Sequence, residues 1–317
     1  MGEHARIARY FAPLAAAEPG SFALTDDAAI LTPPPGFALV ITSDSVIAGT
    51  HVLASATPEH YAQKLMRRNL SDLAAMGATP WRYTLNLHTP AGLNEGWFMD
   101  FAAALAREQA HFGLVLVGGD STSGAPPIHT TLTCFGLLDG MPLRRNGAQP
   151  GDDLYVSGTV GGAAYALSLL QRDMPVDAAL AARYHCPEPR LALGQALRTR
   201  ATGGIDISDG LLADIAQLCA VSGVGARLTR AAIPCHPALA RAIAADAIAW
   251  RFAVSGGDDY ELCFTAAPTQ RDTLAALSAQ LDLPLTRIGE ITRNTRIEIV
   301  DEAGAALPFH ATGWEYD

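Results

Sequence analysis

The sequence predicts a two-domain α/β (α+β) protein with mixed β-sheets flanked by helices. Three observations predict it. At 317 residues the chain exceeds one ordinary core and suits two. Strand-like and helix-like apolar patterns alternate along it. A polar stretch bearing Gly and Pro, DGMPLRRNGAQPG over residues 139–151, interrupts that alternation near the middle. The expected organisation is a first domain at 1–138, a linker at 139–149 and a second domain at 150–317.

In the first half, residues 37–43 (FALVITS) read as a strand that ends at Asp44. Residues 58–76 read as a helix, because Thr57 can cap it, Pro58 fits its first turn and Gly77 stops it. Residues 81–88 (WRYTLNLH) read as a strand and 95–112 as a helix, with Trp97, Phe101, Leu105 and Phe112 near one face. Residues 114–118 and 128–138 read as two more strands, which gives the order β-α-β-α-β-β. The second half restarts with a strand at 153–157 and an Ala-rich helix near 162–171. A helix at 209–222, strands near 224–229 and 260–265, and two short strands near 285–300 follow, with no tandem repeat.

Composition narrows the function. Hydrophobic residues make up 49% of the chain and charged residues 17%, as in a well-buried globular protein. The net charge of −10 and the lack of a basic run argue against a nucleic-acid partner. Lys64 is the sole lysine, an imbalance first of all of composition. The five cysteines, Cys134, Cys186, Cys219, Cys235 and Cys263, form no CxxC pair and leave one over from any pairing, which suits a reducing compartment. No run of about 18 apolar residues predicts a membrane span, and MGEHAR lacks the apolar core of a signal peptide. The expected location is the cytoplasm.

The usual nucleotide and hydrolase signatures are missing: there is no GxxxxGK[ST], GxGxxG after a strand, GxSxG or HExxH. Phosphate binding would then rest on metal ions, arginines and backbone N–H groups. What stands out is carboxylates at the ends of apolar segments: Asp26 and Asp27, Asp44 in TSDS, Asp120 in VGGDST, Asp206 and Asp209 in IDISDG, and Asp258, Asp259 and Glu261 in SGGDDYEL. Any one of them alone is more often a turn former or helix cap. Five such clusters are harder to dismiss, since carboxylates gathered at a sheet edge repel unless cations neutralise them. Oxygen donors without His or Cys pairs select hard ions such as Mg²⁺. Asp72 is the most telling: helical spacing in NLSDLAAMGA places it on the face of Leu65, Asn69 and Met76, where an unpaired carboxylate is costly.

These residues resemble the thiamine-monophosphate kinase family over nearly the whole chain. The matching segments are GEHARIARYF (2–11), DDAAIL (26–31), ITSDSVIAGTHVL (41–53), NLSDLAAMGATP (69–80), VGGDST (117–122), RNGAQPGD (145–152), IDISDGLLADI (205–215) and SGGDDYELCFT (255–265). NLSDLAAMGA is also similar to segments of aminoimidazole ribonucleotide synthetase, selenophosphate synthetase and a hydrogenase maturation protein. The N-terminal GExxxIARYF, the THVL stretch and DDYELCFT point to the thiamine kinase.

The resemblance implies several Mg²⁺ ions, with Asp27, Thr42, Ser43, Asp44, Asp72, Asp120, Asp206 and Asp209 as ligands. It implies ATP as co-substrate, touching Gly119, Arg145 and Ser208, and thiamine monophosphate, touching His51, Asp258 and Trp314. It also implies a homodimer whose N-terminal sheets join into a barrel, with ATP near the domain junction. Two positions depart from the family pattern: Thr25 stands where Gly is usual, and Asp258 where Glu is usual. The implied reaction is direct in-line transfer from ATP to an acceptor phosphate, with no catalytic side chain. The alternatives are another ATP-dependent synthetase of the superfamily, similar to aminoimidazole ribonucleotide synthetase, and an inactive metal-binding scaffold. Selenophosphate synthetase is disfavoured because the first cysteine is Cys134 rather than an N-terminal one.

Overall fold

The computed structural model describes residues 2–307. The chain divides into two compact units. The first runs to Gly140 except for Ala74–Gly77, which group with the second, from Met141 onward.

The first unit opens with a helical prelude, α1 (Glu3–Arg6) and the turns that follow it as far as Leu24. Then come β1 (Ala38–Ile47), α2 (Pro58–Met76), β2 (Thr79–Pro90), α3 (Glu95–Phe112), β3 (Val115–Gly124) and β4 (His129–Leu138), the expected order. The sheet runs β1-β4-β2-β3. Only β2 and β3 pair in parallel, so the sheet is mixed. The Thr57 hydroxyl accepts the His60 N–H at 3.1 Å and caps α2. Gly77, at φ +71°, ends it. Alternation along β2 buries Tyr83, Leu85 and Leu87. The Tyr61 hydroxyl of α2 donates to the Val46 carbonyl of β1, which pins helix to sheet. Trp97 stacks on Phe101 within α3, with ring centroids 4.8 Å apart. Arg67 of α2 donates to Glu108 of α3 at 2.7 Å, and both are buried.

The second unit holds β5 (Asp153–Ser157), α4 (Gly162–Leu170), α5 (Ala178–His185), α6 (Leu191–Leu197), β6 (Gly203–Asp206), α7 (Leu211–Ser222), β7 (Gly225–Thr229), α8 (Pro237–Ala245), α9 (Arg251–Ser255), β8 (Leu262–Ala266), α10 (Arg271–Leu281), β9 (Leu285–Thr292) and β10 (Ile297–Val300). Its mixed sheet runs β10-β7-β9-β5-β8-β6, with only β10 and β7 parallel. Ile205, Leu211, Ile215, Leu218, Cys263 and Ile288 are buried in its largest apolar cluster.

Three expectations are corrected. Asp44 does not end β1, which continues to Ile47, and Asp120 does not end β3, which continues to Gly124. Both strands are sheet edges, where polar residues are tolerated because one flank is unpaired. The strand expected at 260–265 begins only at Leu262, because Tyr260 sits at φ +51°, outside the β region. Among the described residues no helix is long and apolar enough to cross a membrane.

Candidate active site

In the first unit the structure brings together two acidic segments far apart in sequence. Asp26, Asp27 and Asp120 line one cavity, together with Gly118 and Gly119 of β3. Gly119 is obligatory: its φ is +146°, and a Cβ there would lie 1.8 Å from the Leu85 carbonyl oxygen. Asp120 accepts the Ser121 N–H at 2.9 Å. Ahead of Asp26 the backbone makes a left-handed turn through Phe22, Ala23 and Leu24. Thr25 closes that turn by donating its hydroxyl to the Phe22 carbonyl at 2.7 Å, so Thr in place of the usual Gly is accommodated.

Thr42, Asp44 and Asp72 form a second group. The Asp72 carboxylate accepts the Thr42 hydroxyl, which offsets its placement on the apolar stripe of α2. Asp44 accepts Arg68 Nε at 2.9 Å, and its backbone N–H donates to Asn69 at 2.9 Å. Ser43 does not join them. Strand alternation turns its side chain to the opposite face, where its hydroxyl bonds that of Thr133 at 2.9 Å. The half-buried His51 accepts the Ile47 N–H on Nδ1 at 3.1 Å, so the neutral ring carries its proton on Nε2.

In the second unit two motifs lie side by side. Asp206 ends β6, a strand the sequence did not announce, and Asp209 precedes α7, which begins at Leu211 rather than at residue 209; the two aspartates bracket the turn as expected. The Asp258 N–H donates to the Ser208 carbonyl at 2.9 Å and the Tyr260 N–H to the Ile207 carbonyl at 2.8 Å. Gly257 permits this approach, since a Cβ on it would lie 2.4 Å from the Ser208 carbonyl oxygen. Asp258, at φ +69°, accepts the Tyr260 hydroxyl at 2.9 Å and is half-buried. Arg145 is exposed and donates to Gln217 at 2.8 Å. Trp314 lies outside the described residues.

Three carboxylates here have internal work. Asp259 and Glu261 are not on a sheet edge but buried, at 1% and 0% exposure. Asp259 accepts the Gly161 N–H at 2.6 Å at the start of α4, and burial pushes its carboxyl up to about 7. Glu261 accepts Arg190 at 2.6 Å, Arg183 at 2.8 Å and the Ser157 hydroxyl at 2.6 Å. Asp214, which the sequence reading passed over, accepts three consecutive N–H groups, from Ser208, Asp209 and Gly210, each at 3.1 Å. Burial, then the neighbouring Asp206 and Asp209, push it up to about 8. Its signal was an acidic residue in the first turn of a helix, which is ordinary by itself.

Comparison with known proteins decides the family. The N-terminal domain of AIR synthase related proteins matches residues 25–138, and the C-terminal domain matches 149–302. The thiamine-monophosphate kinase of Escherichia coli (strain K12) is 40% identical over 298 residues, covering 92% of this chain and 90% of the relative. The chain belongs to the thiamine-monophosphate kinase family. The crystal structure of the Stenotrophomonas maltophilia K279a thiamine-monophosphate kinase superposes with a TM-score of 0.82 at 40% identity, over 90% of this chain and 91% of that one. A structure described as AaThiL complexed with AMPPCP and TMP gives 0.79 at 26% identity, over 94% and 97%.

For a thiamine-monophosphate kinase the donor set fits a hard divalent cation, because the matched side chains offer carboxylate and hydroxyl oxygens only. The upward push that Asp206 and Asp209 exert on Asp214 shows that negative charge is crowded at this turn. Among the described residues no three His, Cys, Asp or Glu side chains converge on one point.

Proposed function

We propose that the chain transfers the γ-phosphoryl group of ATP to the phosphate of thiamine monophosphate, giving thiamine diphosphate. The observation that carries this reading is the likeness to the complex with AMPPCP and TMP, over 94% of this chain. The acceptor is itself a phosphate monoester, whose second pKa of about 6 leaves its oxygen anionic at neutral pH. No side chain has to remove a proton, and none of the matched motifs supplies a nucleophile paired with a base. The chain's task is to align two polyanions in line.

Asp27, Thr42, Asp44, Asp72, Asp120, Asp206 and Asp209 would hold several Mg²⁺ ions, which neutralise the phosphates when bound. Ser43 can serve only through its main chain, since its hydroxyl faces away. Gly119 lets the backbone approach a phosphate, while Arg145 and Ser208 contact ATP. His51, Asp258 and Trp314 contact thiamine monophosphate. The first domain, 1–138, carries ATP and Mg²⁺ binding and dimerisation, 139–149 is the linker, and 150–317 is the second α/β domain. The protein works as a cytoplasmic homodimer.

The test is turnover with ATP, Mg²⁺ and thiamine monophosphate, run alongside Asp72→Asn and Asp120→Asn. Both variants are expected to fold and to be inactive, because they keep shape and remove charge. Free thiamine is expected not to be an acceptor, since its alcohol needs a base. Near-normal turnover by either variant in saturating Mg²⁺ rejects the ligand assignment, and efficient phosphorylation of free thiamine rejects the mechanism.

A further inference from the structure

Asp44, proposed to hold Mg²⁺, already carries a cation of the chain. Arg68 Nε donates to its Oδ2 at 2.9 Å. The spacing behind this contact lies in the sequence. Four residues along α2 place Arg68 and Asp72 on one side of the helix, and two residues along β1 place Thr42 and Asp44 on one side of the strand. The two sides meet: Asp72 accepts the Thr42 hydroxyl, and one helical turn away Arg68 reaches Asp44. This is no solvated surface pair. Its side chains are 14% and 32% exposed, and charges partly out of water are screened less than surface ones. Nor does α2 need the pair to hold the sheet. The Tyr61 hydroxyl donates to the Val46 carbonyl, and Asn69 accepts the Asp44 N–H at 2.9 Å. The adjacent Arg67 serves the fold, paired with the buried Glu108 of α3. Of the two arginines, Arg68 is the one that turns to the site.

We propose that Arg68 is a built-in competitor of the ions at Asp44 and sets the Mg²⁺ concentration at which the site fills. The inference rests on Asp44 as a Mg²⁺ ligand and deepens the function proposed above. Arg68 acts through Asp44, so it is a positioning residue and not a catalytic one. Two effects of opposite sign meet here. A hydrogen bond that orients a ligating carboxylate helps the ion, and losing such a partner typically weakens metal binding about 10–100-fold. A fixed positive charge opposes the ion. At an effective dielectric of about 20, two unit charges roughly 4 Å apart alter an equilibrium by about a thousandfold, and a divalent ion doubles the exponent. The guanidinium can retreat toward solvent, which moderates this, but the repulsion still exceeds the help.

The test compares Arg68→Gln, which keeps a donor without the charge, with Arg68→Lys, which keeps the charge. Thermal melts titrated with Mg²⁺ in the absence of substrates, and calorimetric titration with Mg²⁺, read the ion without turnover. In EDTA, Arg68→Gln should melt below the wild type, because Asp44 has lost its charged partner. On adding Mg²⁺, its melting temperature should climb at an about tenfold lower concentration, and its Kd for Mg²⁺ should fall by the same factor. Arg68→Lys should stay near the wild type in both. A merely structural pair would lower the melting temperature equally at every Mg²⁺ concentration, which would overturn the proposal. Weaker Mg²⁺ binding by Arg68→Gln, the sign expected if orientation dominates, would overturn it too, as would a wild type whose melting ignores Mg²⁺. Should Arg68→Gln and Arg68→Met both fail to fold, the pair belongs to the fold and the proposal is wrong. These readouts need no thiamine monophosphate. A protein that shows the shifts and never phosphorylates thiamine monophosphate would keep the role of Arg68 and sink the activity. Full activity with one Mg²⁺ dependence in wild type and Arg68→Gln would do the reverse.

Discussion

The acidic motif SGGDDYEL shows how one composition divides its labour residue by residue. Asp259 and Glu261 are buried and saturated by Gly161, Arg183, Arg190 and Ser157, which leaves Asp258 as the member that can meet a ligand. Sequence alone could not separate the three. The distinction depends on Tyr260 and Asp258 adopting left-handed backbone, which reverses the alternation a strand would impose. Asp258→Ala is expected to raise the KM for thiamine monophosphate and leave that for ATP little changed, since a shorter carboxylate than the family's Glu still acts, directly or through a bridging water. Equal kinetics in variant and wild type would make Asp258 a turn residue only.

Asp259 gives a pH prediction at the same scale. Its carboxyl is raised to about 7 in the folded chain, above the ordinary 3.8. The folded state therefore binds the extra proton between those values, and stability falls as pH rises through that window. Asp259→Asn keeps an acceptor for the Gly161 N–H and removes the titration. Thermal melts should show the variant gaining on the wild type between about pH 4 and about pH 7. A constant difference across that range would mean that Asp259 is not the titrating group.

At the scale of elements, the first unit was legible because its strands alternate and its helices carry explicit start and stop signals. Thr57, Pro58 and Gly77 bound α2 as expected. What was not legible has physical causes. The four residues of β6 include two glycines, a poor strand by propensity, and they become one only by pairing with β8. The nine residues of α8, PALARAIAA, are too few for a helical period to stand out from the sequence. Polar TSDSVI and GGDSTSG resemble turns, yet both continue as edge strands.

The turn between β6 and α7 was legible in its aspartates and not in what shapes it. Asp214 Oδ2 gathers the N–H groups of Ser208, Asp209 and Gly210 and so fixes the backbone from which the proposed metal and ATP residues project. Asp214→Ala leaves three N–H groups without that acceptor, at a cost on the order of 1–3 kcal/mol to stability. Turnover should then require more Mg²⁺ for half-saturation, with the KM for thiamine monophosphate unchanged. A loss of activity that merely tracks the unfolded fraction, with the Mg²⁺ requirement constant, would assign Asp214 to folding alone.

At the scale of the whole molecule, the first unit leaves one sheet face with an apolar end. Leu39 and Ile41 of β1 are 41% and 60% exposed. In register they meet Leu137 and Phe135 of β4, so all four share that face. Beyond them the same face turns polar, with Ser43 and Ser45 opposite Thr133 and Thr131. An antiparallel pair commonly solvates one face, and an alternation of polar residues would have sufficed here. Large aliphatic and aromatic side chains at one end instead form an apolar patch of the kind that suits a protein–protein contact. The proposed homodimer covers it with the same face of a second copy, and a two-fold arrangement makes the patch its own complement. Ile41→Asp puts a charge on that patch twice, once from each protomer, while the opposite face of the strand, with Thr42 and Asp44, is untouched. Light scattering at micromolar concentration should then give twice the chain mass for the wild type and the chain mass for the variant, with the melting profile of each protomer still cooperative. A wild type that is monomeric under those conditions, or an Ile41→Asp variant that remains a dimer, would place the protomer contact elsewhere.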